Sequence, residues 1–141
     1  MAPFLAGSGG TVRLRNLHTG DTTHILTAQV TRVNAVQSRP DGSLLATASD
    51  DGTVRLWNPN TGAAHVLIGH TGPVEAVAFS PDGSLLATTS EDRVVRIWNP
   101  DTGETTTMMR TESSLLSCTW TPDGRALYSG AAVGLFAYDL H

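Results

Sequence analysis

Apolar and β-branched residues fall along this chain in short runs of four to six, separated by polar clusters that carry glycine or proline. In the middle of the chain the runs are 74–79 (VEAVAF), 85–90 (LLATTS) and 94–98 (VVRIW), divided by Ser80-Pro81-Asp82-Gly83 and Glu91-Asp92-Arg93. None is long enough for an apolar stripe of period 3.6, so the pattern predicts strands and excludes helices. A run at 65–68 (HVLI) supplies a fourth strand to the unit before it, and short connections imply antiparallel meanders of four.

The punctuation is periodic. Pro-Asp-Gly stands at 40–42, 81–83 and 122–124, a constant step of 41, and Asn-x-x-Thr-Gly begins at 16, 58 and 99 on nearly the same beat. A period in the low forties belongs either to paired-helix repeats or to propeller blades, and a period filled with strands selects the blades. The turn chemistry agrees with hairpins: proline presets φ, aspartate bonds its own backbone, and glycine accepts a positive φ. Counted in these units, the chain predicts an all-β fold, an incomplete β-propeller of four-stranded antiparallel blades in one segment over 1–141. Two complete blades, 30–70 and 71–110, are flanked by two partial ones. The first, 1–29, lacks an inner strand, and the last, 111–141, lacks an outer one.

These residues resemble the WD40-repeat family of β-propellers. The fullest match is in the third repeat: Gly69-His70, Phe79-Ser80-Pro81-Asp82-Gly83, Ser90-Glu91-Asp92 and Ile97-Trp98-Asn99. The Trp-Asp pair of the family appears as Trp57-Asn58 and Trp98-Asn99. The resemblance implies a buried hydrogen-bonded tetrad of histidine, a second-strand Ser or Thr, a turn aspartate and tryptophan. In the third repeat this maps to His70, Ser90 (or Thr88), Asp92 and Trp98. In the second it maps to Ser49 (or Thr47), Asp51 and Trp57, with Gln29 at the histidine position, so that tetrad is broken. In the first repeat Arg15 stands at the tryptophan position. In the fourth, Tyr138 replaces tryptophan and Thr111 replaces histidine.

Composition narrows function mainly by exclusion. A formal charge of −4 argues against a nucleic-acid footprint. No stretch approaches the roughly 20 apolar residues of a membrane span. The first residues lack the basic start and apolar run of a signal peptide, which makes the cytoplasm the expected compartment. One cysteine, Cys118, forms neither an intrachain disulfide nor a multi-cysteine metal site, and its alternating surroundings read as a buried structural thiol. The five histidines lack metal-ligand spacing, and the acidic turns lack the calcium-loop pattern. No serine sits in a Gly-x-Ser-x-Gly turn. Neither catalysis, metal nor cofactor is expected.

What remains is a noncatalytic scaffold for protein–protein interaction. The alternative is the regulatory or sensor C-terminal part of a larger enzyme (a kinase, peptidase or NTPase) whose catalytic domain lies outside this chain. The family resemblance implies a partner surface at the residue before each turn aspartate and at the start of each first strand. Here those are Asp50 and Glu91, then Arg32, Asn34, Pro73, Glu75, Ser114 and Leu116. Three of the eight are carboxylates, which favours a basic or mixed-charge peptide. An open stack of blades would also expose apolar faces and bare strand edges, so either self-association or the remainder of a longer propeller is expected to close the ring.

Overall fold

A computed structural model describes residues 4–6, 12–15, 22–26, 32–131 and 134–139, with side chains considered for 32–131 and 137–139. The described residues form fourteen strands and no helix. They are β1 (Phe4–Ala6), β2 (Val12–Arg15), β3 (Thr22–Leu26), β4 (Val33–Ser38), β5 (Leu45–Ser49), β6 (Val54–Trp57) and β7 (Ala64–Leu67). The second half holds β8 (Val74–Phe79), β9 (Leu86–Ser90), β10 (Val94–Trp98), β11 (Thr105–Arg110), β12 (Leu115–Trp120), β13 (Ala126–Ala131) and β14 (Gly134–Asp139).

The strands pair only with chain neighbours, as antiparallel meanders: β1-β2-β3, β4-β5-β6-β7, β8-β9-β10-β11 and β12-β13-β14. First strands line up between sheets, β8 lying against both β4 and β12, while β5 also meets β8 and β9 meets β12. Because β1 meets β4 in that same second-to-first manner, the N-terminal sheet holds the second, third and fourth places of a blade. The last sheet holds the first three. The architecture is an incomplete β-propeller.

The hairpins are built as their residues dictate. In Pro-Asp-Gly of the third sheet, Gly83 adopts φ +76°, and the Asp82 carboxylate accepts hydrogen bonds from the Ser84 amide (3.0 Å), the Ser84 hydroxyl (2.7 Å) and the Ser80 hydroxyl (2.8 Å). The bonds to Ser84 and Ser80 hold the Asp82 carboxyl down at about 2. Removing the carboxylate would strand the turn amide, which explains why aspartate recurs here.

Second strands are buried along their whole length, β5 (LATAS) and β9 (LATTS) alike. A strand covered by neighbouring sheets on both faces cannot alternate polar with apolar, so small residues fill the tight side. Between the second and third sheets, Ala46, Ala48, Val54 and Leu56 pack with Val77, Phe79, Leu86 and Trp98. Between the third and fourth, Ala87, Val95 and Ile97 pack with Leu115 and Leu127. Each such interface hides surface that a single sheet would leave in water.

Candidate functional site

Two groups of residues stand out, one buried and one on a rim. The buried group is a relay of hydrogen bonds in the third sheet. The Trp98 indole N–H donates to Thr88 Oγ1 at 2.9 Å, His70 Nε2 lies 2.7 Å from that oxygen, and His70 Nδ1 lies 2.8 Å from Asp92 Oδ2. Asp92 also accepts from the Thr71 amide at 3.0 Å and the Val94 amide at 2.9 Å. Burial lowers the His70 pKa against the opposing pull of Asp92, so the ring is neutral. Burial alone would raise the Asp92 carboxyl, but the bonds from His70 and Thr71 outweigh it and hold it low. A neutral ring donates from Nδ1 to the carboxylate and accepts at Nε2 from the Thr88 hydroxyl. That arrangement resembles an acid–base–hydroxyl triad, yet Thr88 is fully buried and its oxygen already serves two partners. The group ties the β7–β8 connection to β9 and β10, and both Trp57 and Trp98 are core residues at 2% exposure.

The geometry chooses between the two hydroxyls that each repeat offers. The hydroxyl of the relay is Thr88, not Ser90, and in the second sheet Trp57 donates to Thr47 at 3.0 Å, not to Ser49. Both candidates share a face of the strand, since they stand two residues apart. Trp98 pairs across the ladder with Leu86, and its indole reaches diagonally only as far as Thr88. Ser90 lies a further two residues along, where its hydroxyl donates to Pro73 O at 2.8 Å and accepts from the Asp92 amide at 3.1 Å. Ser49 likewise donates to Arg32 O at 3.2 Å. Asp51 closes its own turn onto Thr53 (2.9 and 2.6 Å), and Gln29 lies outside the described residues. In the fourth sheet the relay shrinks to a Ser129–Tyr138 contact at 3.3 Å, and Thr111 bonds Arg93 O and Ser113 O instead.

The rim group is organised by a feature that periodicity did not disclose. The ladder slips once near the start of each first strand: between Val33 and Ala35, between Val74 and Ala76, and between Leu115 and Ser117. The extra residues are Asn34, Glu75 and Leu116. A bulge leaves its extra residue unpaired and re-aims its side chain. Asn34 Nδ2 donates to Asp50 Oδ1 at 2.7 Å and to Val74 O of the next sheet at 3.0 Å. In the third sheet the equivalent pair is two neighbouring carboxyl groups, Glu75 and Glu91. Partial burial, then the proximity and negative charge of Glu91 and the charge of Asp50, raise the Glu75 pKa, and Arg32 opposes them.

Of the other positions, Ser114 donates to Glu91 O at 3.3 Å and Pro73 O accepts from the Glu91 amide at 3.0 Å. Arg32 O accepts from the Asp50 amide at 3.0 Å. Leu116 occupies in β12 the place of Glu75 in β8 and is 51% exposed. The rim therefore joins residues of three sheets, with no group of three potential metal-ligating side chains among the described residues.

Cys118 lies half-buried against the interface of the third and fourth sheets, and burial pushes its thiol up to about 12. The thiolate is the reactive form. A thiol-specific reagent at pH 8 should label the native protein far more slowly than the urea-unfolded chain; equal rates would show that the thiol is accessible and ionisable in the fold.

Comparison with known proteins agrees with the repeat organisation. Protein Mut11 of Chlamydomonas reinhardtii is 54% identical over 41 residues, a stretch that covers 29% of this chain and 11% of that protein. The match thus spans about one repeat and a small part of the relative's length. The profile of the WD domain, G-beta repeat matches residues 20–58 and 63–99. Repeats of this kind typically mediate protein–protein interaction and are generally noncatalytic. With over half of its residues inside the two matched repeats, the chain belongs to the WD domain, G-beta repeat (WD40) family.

Proposed function

We propose that the protein is a noncatalytic interaction scaffold that binds a basic segment of a partner protein at the rim of Asp50, Glu75 and Glu91. The observation that carries this reading is the carboxyl pair on the bulge of β8. Glu75 sits against Glu91 with Asp50 nearby, and among the described residues Arg32 is the single opposing charge that acts on it. Two carboxylates held together repel, and that repulsion is relieved when a cation arrives. A lysine or arginine side chain provides such a cation, and binding it would return the Glu75 pKa towards its ordinary value and release a proton. Clustered negative charge also steers a basic partner towards the rim, which shows in the association rate.

The sign of the stability effect follows from the raised pKa. A carboxyl whose folded pKa is raised favours the folded state at low pH and disfavours it as pH rises through that pKa. Glu75→Gln should therefore raise the urea midpoint at pH 7 and lose that advantage as pH falls towards the ordinary glutamate range. With a partner captured by its basic segment, Asp50→Asn, Glu75→Gln and Glu91→Gln together should slow association about tenfold or more at low salt and flatten its salt dependence. Stopped-flow association across ionic strengths measures both. Association kinetics unchanged by the triple substitution would remove the rim from the binding surface.

A further inference from the structure

Three arginines gather at the outer edge of the third sheet. Arg96 of β10 lies opposite Met108 of β11, and two residues along the same ladder Val94 lies opposite Arg110. Partners across a ladder, and residues two apart along a strand, share a face of the sheet. Arg96, Met108 and Arg110 therefore stand on one face, the two arginines on a diagonal of about 7–8 Å. A slip in the ladder between Ile97 and Trp98 produces this grouping. In the second sheet, whose β6–β7 ladder runs without a slip, Arg55 faces Val66, and one 41-residue step beyond Val66 is Thr107. The slip advances β11 by one residue, so that Met108 takes the place opposite Arg96.

Arg93 joins them from the turn before β10. Its carbonyl accepts from the Thr111 amide at 2.8 Å, beside Arg110. Among the described residues it is the one non-glycine with a positive φ, +71°, where the second sheet has Gly52 at +85°. Left-handed backbone disfavours any side chain. A side chain kept there against that strain is a mark of a functional site.

The surroundings are apolar and already ordered. Met108 is 49% exposed and Ile68 79%, and Ile68 precedes Gly69, whose carbonyl accepts from Arg96 Nη2 at 2.9 Å. The Arg96 guanidinium also lies 5.8 Å from the Trp98 ring centroid, so its position is set before a ligand arrives. Among the described residues the one arginine in an ion pair is Arg39, with Asp101. Asp92, next to Arg93 in the turn, is taken up by His70.

We propose that this edge binds an acidic segment of a partner protein, its carboxylates paired with Arg93, Arg96 and Arg110 and an apolar side chain lying on Ile68 and Met108. A guanidinium fork matches a carboxylate two bonds at a time, and an apolar residue between the acidic ones covers the exposed pair. The edge is distinct from the carboxylate rim. Glu91 is held to Pro73 and Ser114 beside the first strands, whereas Arg93 and Arg110 stand at the fourth, and the two surfaces attract opposite charge. Neither reading depends on the other.

Fluorescence anisotropy of a labelled peptide of repeated Glu-Leu-Glu, titrated with the whole chain, tests it. The peptide should bind, and more weakly as salt is added. Arg110→Gln and Arg93→Gly should each raise the dissociation constant about tenfold or more. Glycine also relieves the positive φ, so the urea midpoint of Arg93→Gly should equal or exceed that of wild type; a lower midpoint would assign Arg93 to the framework and overturn its role here. Ile68→Ser should weaken the Glu-Leu-Glu peptide and leave a Glu-Ser-Glu peptide unchanged. Anisotropy that stays flat up to about 300 μM protein overturns the proposal, as does binding indifferent to both arginine substitutions. Equal binding of a Lys-Leu-Lys peptide overturns it too, and tighter binding of a single-stranded oligonucleotide would show a surface for polyanions in general. Self-association that Arg110→Gln abolishes in sedimentation velocity would assign the edge to a second copy of the chain instead.

Discussion

Leu86→Ala should lower the unfolding free energy by about 2–5 kcal/mol, the range for emptying a closed core site. Leu86 is wholly buried and lies in the cluster that joins the second and third sheets, with Ala46, Ala48 and Leu56 on one side and Phe79 and Trp98 on the other. The site has little freedom to collapse, because its two walls are pinned together. Asn34 bonds Val74 O, Gln37 Oε1 accepts from the Phe79 amide, and Arg39 clasps Asp101 at 2.8 and 3.3 Å. In a repeat protein an interface between neighbouring units is a large share of total stability, so a cavity there falls on the whole fold. Leu116→Ala, at an exposed bulge, should stay within about 0.5 kcal/mol of wild type. Urea titrations of both variants make the comparison; similar losses would mean that the interface tolerates the cavity or that Leu116 is structural.

Thr88→Val should cost about 1–3 kcal/mol, the penalty for leaving buried polar groups without partners. Valine preserves the shape of threonine and removes only the hydroxyl, so packing changes contribute little. The loss strands two groups at once, the Trp98 indole N–H and His70 Nε2. His70 then keeps Asp92 but faces a methyl group at its other nitrogen. Thr47→Val serves as the internal control, since among the described residues the Thr47 hydroxyl is bonded by the Trp57 indole alone. Its cost should be clearly smaller. Equal costs in thermal or urea unfolding would show that the relay beyond the tryptophan–threonine bond adds nothing.

Strands, turns and repeat phase were legible in the sequence because they rest on local chemistry. Pro-Asp-Gly makes a hairpin through its own φ values and its own carboxylate, and runs of five or six residues between such turns leave room only for strands. His70, Asp92 and Trp98 were named through the resemblance to a known repeat family, at the positions that match its motif. The hydroxyl between them was not. Thr88 and Ser90 point to the same face, and the diagonal reach of an indole chooses between them. The rim positions could be named, but not their grouping. Asn34, Glu75 and Leu116 become rim residues through bulges, which are slips in pairing between strands and leave no mark on hydrophobic periodicity. That Glu75 meets Glu91 while Asn34 meets Asp50 follows from that slip. The Arg39–Asp101 pair spans 62 residues and belongs to the packing of one sheet on the next. Tyr128 stands one 41-residue step beyond Ala87, but only the packed sheets show that alanine to be buried. Local turn chemistry wrote the repeat into the chain, whereas contacts between sheets depend on register and distance, which only the assembled stack specifies.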